Sequence, residues 1–136
     1  MKKLLFAALT LLLMSSAPQK VTTIFVVGDS TVAKKDLSKG SPERGWGMAL
    51  GCYFDDAFIR VDDHALNGRS SKSFINEGHW DKVLSLIKPG DYVIIQFGHN
   101  DEKPGEKRHT DPGSTFDYTL AKYAVRPVSV AASPSS

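Results

Sequence analysis

Apolar residues in this chain form two kinds of segment, continuous runs and runs with helical spacing. The continuous runs predict three strands, over Thr22 to Val27, around Phe58 to Val61, and from Asp91 through Phe97. The two segments between them carry apolar residues at i, i+3, i+4 and i+7, the spacing of one helical face. These residues are Trp46, Ala49, Leu50, Tyr53 and Phe54 in the first segment, and Trp80, Val83, Leu84 and Ile87 in the second. The alternation predicts right-handed βαβ units, a parallel sheet and the α/β class.

The second predicted helix ends at Lys88-Pro89-Gly90, where a cationic last turn meets two helix breakers. Farther along the chain, Phe116, Leu120 and Tyr123 predict one face of a last helix. The pattern stops after Val125. Residues 126–136 are small, rich in proline and serine and without periodicity, which predicts a disordered tail.

The N-terminus has the three parts of a secretory signal. Met1-Lys2-Lys3 is basic, Leu4 to Met14 is apolar, and Ser15-Ser16-Ala17 supplies small residues for cleavage. The apolar run is too short to span a bilayer, so we interpret 1–17 as a signal peptide rather than an anchor. A buried N-terminal helix is the alternative. The expected location is secreted or periplasmic, and the folded domain is expected to cover 18–125.

The formal charge of +2 comes from the predicted signal segment. Without Lys2 and Lys3 the chain carries 15 basic and 15 acidic side chains, which gives no electrostatic case for nucleic acid or anionic membranes as partners. The single cysteine, Cys52, has no partner for an internal disulfide and belongs to no zinc motif. Since Cys52 lies among apolar residues, we expect it in the core.

Polar residues follow each predicted strand and carry the candidate chemistry. They form the segments Gly28-Asp29-Ser30-Thr31, Asn67-Gly68-Arg69-Ser70-Ser71 and Gly98-His99-Asn100-Asp101. The carboxyl ends of parallel strands share one edge of a sheet, where open α/β folds bind ligands. Ser30 is a candidate nucleophile, which needs a base to take its proton. The Ser30 and Gly68 N–H groups and the Asn100 amide are candidate oxyanion donors. Each segment alone is also typical of a turn or a helix cap.

The three segments resemble the first three conserved blocks of the SGNH (GDSL-type) hydrolases. Gly45-Trp46-Gly47 and the run from Lys88 to Phe97 are similar to the rhamnogalacturonan acetylesterase branch of that family. The resemblance covers about Thr22 to Val125 and implies a flavodoxin-like, three-layer α/β/α fold with about five parallel strands. It implies Ser30 as nucleophile, with the Ser30 N–H, Gly68 and Asn100 as the oxyanion hole. It also implies an acetylated pectic polysaccharide as substrate and no cofactor.

The family's fourth block, Asp-x-x-His, supplies the base and its orienting acid, and this chain lacks it. The histidines are His64, His79, His99 and His109, and none has an aspartate three residues earlier. Glu106-Lys107-Arg108-His109 is only a loose imitation of that block. We therefore expect an SGNH domain that is incomplete at its C-terminus, exposes an apolar sheet edge, and has little or no activity by itself.

Two other functions stay open at this stage. An SGNH lipase or thioesterase acting on acyl lipids would carry the same three blocks. A non-catalytic carbohydrate-binding remnant would bind glycan without turnover. The sequence does not indicate the oligomeric state.

Overall fold

The computed structural model describes residues 20–40 and 42–132, so the predicted signal peptide and residues 133–136 lie outside the described part. Its strands are β1 (Thr22–Gly28), β2 (Ile59–Asp63) and β3 (Tyr92–Gln96). Its α-helices are α1 (Gly47–Leu50), α2 (Ser71–Asn76), α3 (His79–Leu84) and α4 (Thr115–Ala132). Short 3₁₀ turns cover Leu37–Lys39 and Gly51–Tyr53. None of the helices in these ranges is long and apolar enough to cross a membrane.

The strands form one parallel sheet in the order β2-β1-β3. The central strand β1 pairs with β2 from Thr22↔Ile59 onward and with β3 from Ile24↔Tyr92 onward. Because β1 is paired on both sides and covered on both faces, six of its seven residues are buried. A strand in that position has no solvent face, which explains why its sequence shows no alternation. The predicted parallel α/β class is confirmed.

Alternate residues of β1 divide the core into two layers, one on each face of the sheet. Phe25 and Val27 pack with α2, α3 and α4, chiefly through Phe74, Trp80 and Tyr123. Ile24 and Val26 lie on the opposite face. There they pack against the segment that follows β1, and against Leu50 of α1 and Phe54 beyond it. The buried members of this second cluster are Ile24, Val26, Val32, Ala33 and Ala65. Helices on both faces of the sheet make the three-layer α/β/α arrangement that the family resemblance implies.

The helix predicted from Trp46 to Phe54 is wrong in length and in burial. The α-helix is a single short segment, α1, followed by a 3₁₀ turn that begins at Gly51. Phe54 packs against the core, but Trp46 is 40 % exposed and Tyr53 is 81 % exposed. Cys52, expected in the core, is exposed as well. Glycines give this segment low helix propensity, so it bends away before all of its apolar residues reach the sheet.

Helix α4 lies where the last helix is predicted, with Tyr123 fully buried and Leu120 packed against the same core. The α4 backbone stays helical as far as Ala132, past Val125, where the sequence pattern stops. The disorder of the tail from residue 126 remains a prediction.

The outer strand β3 leaves two large apolar side chains in solvent. Paired residues in neighbouring parallel strands point to the same face, so Tyr92 and Ile94 lie on the same face as Ile24 and Val26. Tyr92 is 66 % exposed and Ile94 is 37 % exposed. The helical layer on this face therefore leaves β3 partly uncovered.

Asp63, the last residue of β2, is an imperfectly satisfied carboxylate next to α1. Its Oδ1 accepts a hydrogen bond from the Ala65 N–H at 2.9 Å. Its Oδ2 is buried and has no hydrogen-bond partner among the described residues. Burial raises the pKa of Asp63 above its ordinary value of 3.8, although hydrogen bonds from the Ala65 and Lys34 backbone act in the opposite direction.

The substitution Asp63→Asn is expected to raise the free energy of unfolding at pH 7. A raised native pKa means that the folded state holds the proton of Asp63 more tightly than the unfolded state does. Ionisation above the ordinary value of 3.8 therefore destabilises the fold of the natural chain. Asparagine keeps an acceptor for Ala65 without the charge. Urea unfolding of both chains at several pH values should show a difference that shrinks as the pH falls towards 4. A variant that is less stable at pH 7 would contradict this reasoning; the exposed Asp56→Asn is the control.

Candidate active site

Three loops at one edge of the sheet carry the residues selected from the sequence. Ser30 follows β1, Gly68 follows β2, and Asn100 follows β3. The strands are parallel, so their carboxyl ends lie side by side. The Leu66 N–H donates to the Gly28 carbonyl at 2.9 Å, which holds the second loop against the end of β1.

The chain turns sharply at Ser30 because Asp29 stabilises the turn from inside. The Asp29 carbonyl accepts from the Val32 and Ala33 N–H groups at 3.2 and 3.0 Å. Its carboxylate, which is fully buried, accepts from the Thr31 N–H at 2.9 Å and the Thr31 hydroxyl at 2.7 Å. Asp29 thus points inwards and Ser30 stays half-buried at the surface. Among the described residues, none is hydrogen-bonded to the Ser30 hydroxyl.

Gly28 brings the first and third loops close together. A Cβ at this position would lie 2.6 Å from the Gln96 carbonyl oxygen and 2.7 Å from Val32 Cγ2. The end of β1 can therefore approach the end of β3 only because residue 28 lacks a side chain. The Thr31 hydroxyl lies 2.6 Å from Gln96 Oε1, which adds a polar contact between the same two strand ends.

The backbone conformation at residue 68 explains why a glycine is found there. Its φ is +75°, a left-handed value that favours glycine, and no atom within 4 Å would obstruct a Cβ. The residue is exposed, so its N–H lies in an accessible turn. This agrees with the Asn-Gly turn seen in the sequence and leaves the proposed oxyanion role untested.

Asn100 is buried, and hydrogen bonds fix the orientation of its amide. Its Oδ1 accepts from Lys103 Nζ at 3.1 Å, and its Nδ2 donates to the Arg69 carbonyl at 3.1 Å. The latter bond joins the third loop to the second. An amide nitrogen has two hydrogens, and the described residues offer an acceptor for only one of them. The second N–H is the group that an oxyanion would need.

Asp101 joins the third loop to the helical layer beneath it. Its buried carboxylate accepts from the Ser71 N–H at 3.1 Å, from the Ser71 hydroxyl, and from the Thr110 hydroxyl at 3.0 Å. The Tyr123 hydroxyl donates to the Ser71 carbonyl at 2.7 Å. Burial, and then the charge of Asp101, raise the pKa of Tyr123, so its phenol keeps the proton that it donates. Asn100 therefore sits next to a residue with little freedom to move.

Each histidine has a ring nitrogen near the carboxylate of an acid two or three residues away, although the buried His64 Nε2 has no hydrogen-bond partner among the described residues. The closest N···O distances are 3.3 Å for His64–Asp62, 3.0 Å for His79–Glu77, 3.5 Å for His99–Glu102 and 3.0 Å for His109–Asp111. His109 lines a cavity of about 410 Å³ beside α2 and α4, and Ser30 is not among the residues that line it. In the described ranges no histidine is hydrogen-bonded to Ser30, and no group of three His, Cys, Asp or Glu side chains is placed to hold a metal ion.

Lys35 and Asp101 also belong to this region, although neither was predicted from the sequence to take part in it. Lys35 Nζ donates to the Ser30 carbonyl at 2.5 Å and to Asn67 Oδ1 at 2.7 Å, so it joins the first and second loops. No sequence signal identifies Lys35, which lies in a polar segment that reads as a loop. For Asp101 there was a signal, since it belongs to the third block and lies directly after Asn100.

No protein-family model matches this sequence. The chain is 41 % identical over 106 residues to the rhamnogalacturonan acetylesterase RhgT of Bacillus subtilis, covering 78 % of this chain and 44 % of the relative. It is 38 % identical over 101 residues to the probable rhamnogalacturonan acetylesterase YesY of the same organism, covering 74 % of this chain and 45 % of YesY. The chain is a homologue of the rhamnogalacturonan acetylesterases. A rhamnogalacturonan acetylesterase of Emericella nidulans is 36 % identical over 93 residues, covering 68 % of this chain and 33 % of the relative.

The fold of this chain is also found in a solved structure. The crystal structure of the protein YxiM of Bacillus subtilis matches with a TM-score of 0.71 at 32 % identity, over 82 % of this chain and 31 % of that one. These relatives confirm the resemblance to SGNH-type esterases and to carboxylic ester hydrolases. The chain spans less than half the length of the curated relatives described above, a share that fits the fragment predicted from the sequence.

Proposed function

We propose that this chain carries the nucleophile and the oxyanion hole of a secreted acetylesterase that removes acetyl groups from rhamnogalacturonan. The observation that supports this most directly is the meeting of three loops at one sheet edge, tied together through Lys35 and through the Asn100–Arg69 bond. The substrate class is taken from the printed names of the relatives RhgT and YesY. Secretion is inferred from the N-terminal sequence alone.

The proposed reaction is acyl transfer through an acetyl-serine. Ser30 Oγ attacks the acetyl carbonyl carbon while a base takes the hydroxyl proton, and the carbonyl oxygen becomes an oxyanion. The Ser30 N–H, the Gly68 N–H and the second Asn100 N–H donate hydrogen bonds to that oxygen. Each donor of this kind lowers the barrier by about 3–4 kcal/mol. The intermediate then expels the sugar oxygen, which receives the proton, and water releases acetate from Ser30.

The base is the group that the described residues do not supply. Each histidine lies within 3.5 Å of an acid nearby in sequence, and none is hydrogen-bonded to the Ser30 hydroxyl. A serine without a base keeps its proton and is a poor nucleophile. We therefore propose that this chain alone turns over acetyl esters slowly or not at all, even though it holds the other parts of the site.

A test of this proposal supplies the base from solution. The chain is mixed with an aryl acetate with and without imidazole, and the acetylated residue is located by peptide mapping with mass spectrometry. Imidazole would take the proton of Ser30 and the phenolate would leave. Samples quenched with acid at early times would retain acetyl-Ser30, before imidazole also assists its hydrolysis. Acetylation at Ser30 should depend on imidazole, whereas background acetylation of lysines should be the same in Ser30→Ala. The Ser85→Ala variant, which removes another surface serine, is the matched control.

The same assay separates the three functions left open by the sequence. Faster labelling by an aryl acetate than by an aryl octanoate supports the acetylesterase, and the reverse order supports a lipase or thioesterase. An unlabelled Ser30, together with binding of a pectic oligosaccharide, would replace the proposal with a carbohydrate-binding remnant. An unlabelled Ser30 without such binding would also overturn it.

A further inference from the structure

The peptide group between Ser30 and Thr31 is held at both ends by charged side chains. Its N–H donates to Asp29 Oδ1 at 2.9 Å. Its carbonyl accepts from Lys35 Nζ at 2.5 Å. Charged partners make hydrogen bonds roughly twice as strong as neutral ones, so this peptide plane has little freedom to rotate. Rotation of that plane would change the backbone direction at Ser30 and with it the aim of the hydroxyl.

Lys35 also reaches the second loop. The same Nζ lies 2.7 Å from Asn67 Oδ1, and Asn67 directly precedes Gly68. One ammonium group thus sets the spacing between the loop of the nucleophile and the loop of a proposed oxyanion donor. Lys35 is half-buried, and its own N–H contacts Met48 Sδ at 3.4 Å, which anchors the start of the side chain. The preceding residue, Lys34, is exposed.

We infer that Lys35 is a positioning residue for the acyl transfer at Ser30. This inference rests on the proposed function, because it concerns the same site. Oxyanion donors must lie about 2.7–3.1 Å from the oxygen that they stabilise. A lysine that fixes two loops relative to each other sets that distance without touching the reacting atoms. A misplacement of about 1 Å in such a site can lower a rate about 100-fold.

The experiment compares Lys35→Met, Lys35→Arg and Lys34→Met in the imidazole-dependent acetylation of Ser30. Methionine keeps much of the apolar stem and removes the three donors, so labelling of Lys35→Met should be at least about tenfold slower. Lys35→Arg keeps a charged donor and should recover most of the rate. Lys34→Met should label like the natural chain. Urea unfolding of each variant shows whether lost stability accounts for a lost rate.

The inference is wrong if Lys35→Met labels as fast as Lys34→Met, or if Lys35→Arg is as slow as Lys35→Met. A second measurement separates this failure from failure of the proposed function. If Ser30 is never labelled in the natural chain, the proposed function fails, and ¹H–¹⁵N spectra still test the link. Lys35→Met should then shift the Thr31 and Gly68 amide signals and speed their hydrogen exchange, and Lys34→Met should not. Unchanged Thr31 and Gly68 signals would overturn the inference.

Discussion

The substitution Gly45→Ala is expected to destabilise the fold by about 3 kcal/mol, the upper end for a side chain forced into a filled space. A Cβ on Gly45 would lie 2.2 Å from both the Val32 and the Ala33 carbonyl oxygens. Both atoms belong to the backbone that follows Ser30, so neither can move away by changing a rotamer. The added methyl group must push the 45–47 segment away from that turn. Urea unfolding followed by circular dichroism measures the loss.

Gly51→Ala is the matched control, because a Cβ there meets only Val61 Cβ, at 4.0 Å. Gly51 has helical dihedrals, φ −60° and ψ −28°, which alanine adopts without strain. Alanine at such a position stabilises a protein by about 0.4–1 kcal/mol, since it restricts the unfolded chain. Equal stability of the two variants would show that the close packing at Gly45 is not maintained in solution.

The substitution Asp101→Asn is expected to destabilise the fold by about 2–3 kcal/mol, because a buried charged acceptor becomes neutral and its second oxygen becomes a donor. The Asp101 carboxylate accepts from the Ser71 N–H, the Ser71 hydroxyl and the Thr110 hydroxyl. All three donors reach Oδ1, so an amide oxygen in that position still accepts from them, but without the charge. The amide NH₂ then replaces Oδ2, which lies 3.1 Å from the Ser71 nitrogen, so two donors face each other in a buried site. Urea unfolding measures the change.

Glu102→Gln is the control for Asp101→Asn, since it removes a charge from the next residue. The Glu102 side chain is 73 % exposed and lies 3.5 Å from His99, a surface pair of little energetic value. Its effect should stay within about 0.5 kcal/mol. If the two variants lost the same stability, the buried network around Asp101 would contribute nothing beyond overall charge.

The sheet and much of the core could be predicted from the sequence, because buried segments are either continuously apolar or carry apolar residues at helical spacing. The run from Thr22 to Val27 identifies β1, and the spacing of Trp80, Val83 and Leu84 identifies α3. The end of α3 was placed too late, at Lys88 instead of Leu84, since breakers mark where a helix cannot continue and not where it stops. Local patterns thus predict elements better than their limits.

Helix α2 was missed because its signal is a cap and not a periodic face. The Ser70 side chain accepts from the Ser73 N–H while the Ser73 hydroxyl accepts from the Ser70 N–H, a reciprocal capping box. Two serines three residues apart also occur in loops, so the pattern alone is weak. The helix that was predicted from Trp46 fails for the opposite reason. There the periodic face exists, but the glycines do not sustain a helix long enough to bury it.

The candidate site was predictable as a set of loops and not as a set of contacts. Strand order and direction place Ser30, Gly68 and Asn100 on neighbouring loops, a consequence of parallel topology that sequence motifs can convey. The bonds of Lys35 to Ser30 and Asn67 depend on the path of a loop without periodic pattern. Long-range contacts of this kind are determined by the packed structure, so no local sequence pattern predicts them.

The two outer strands differ in their tendency to pair with strands of other molecules. Strand β2 carries Arg60, Asp62 and Asp63, and charges of this kind discourage intermolecular strand pairing. Strand β3 has the sequence Tyr-Val-Ile-Ile-Gln, without charge or proline, and two of its residues, Tyr92 and Ile94, are exposed. Short uncharged β-formers with an open hydrogen-bonding edge are the segments that seed aggregation. We therefore expect concentrated samples of this chain to aggregate through β3 while the fold itself is still intact.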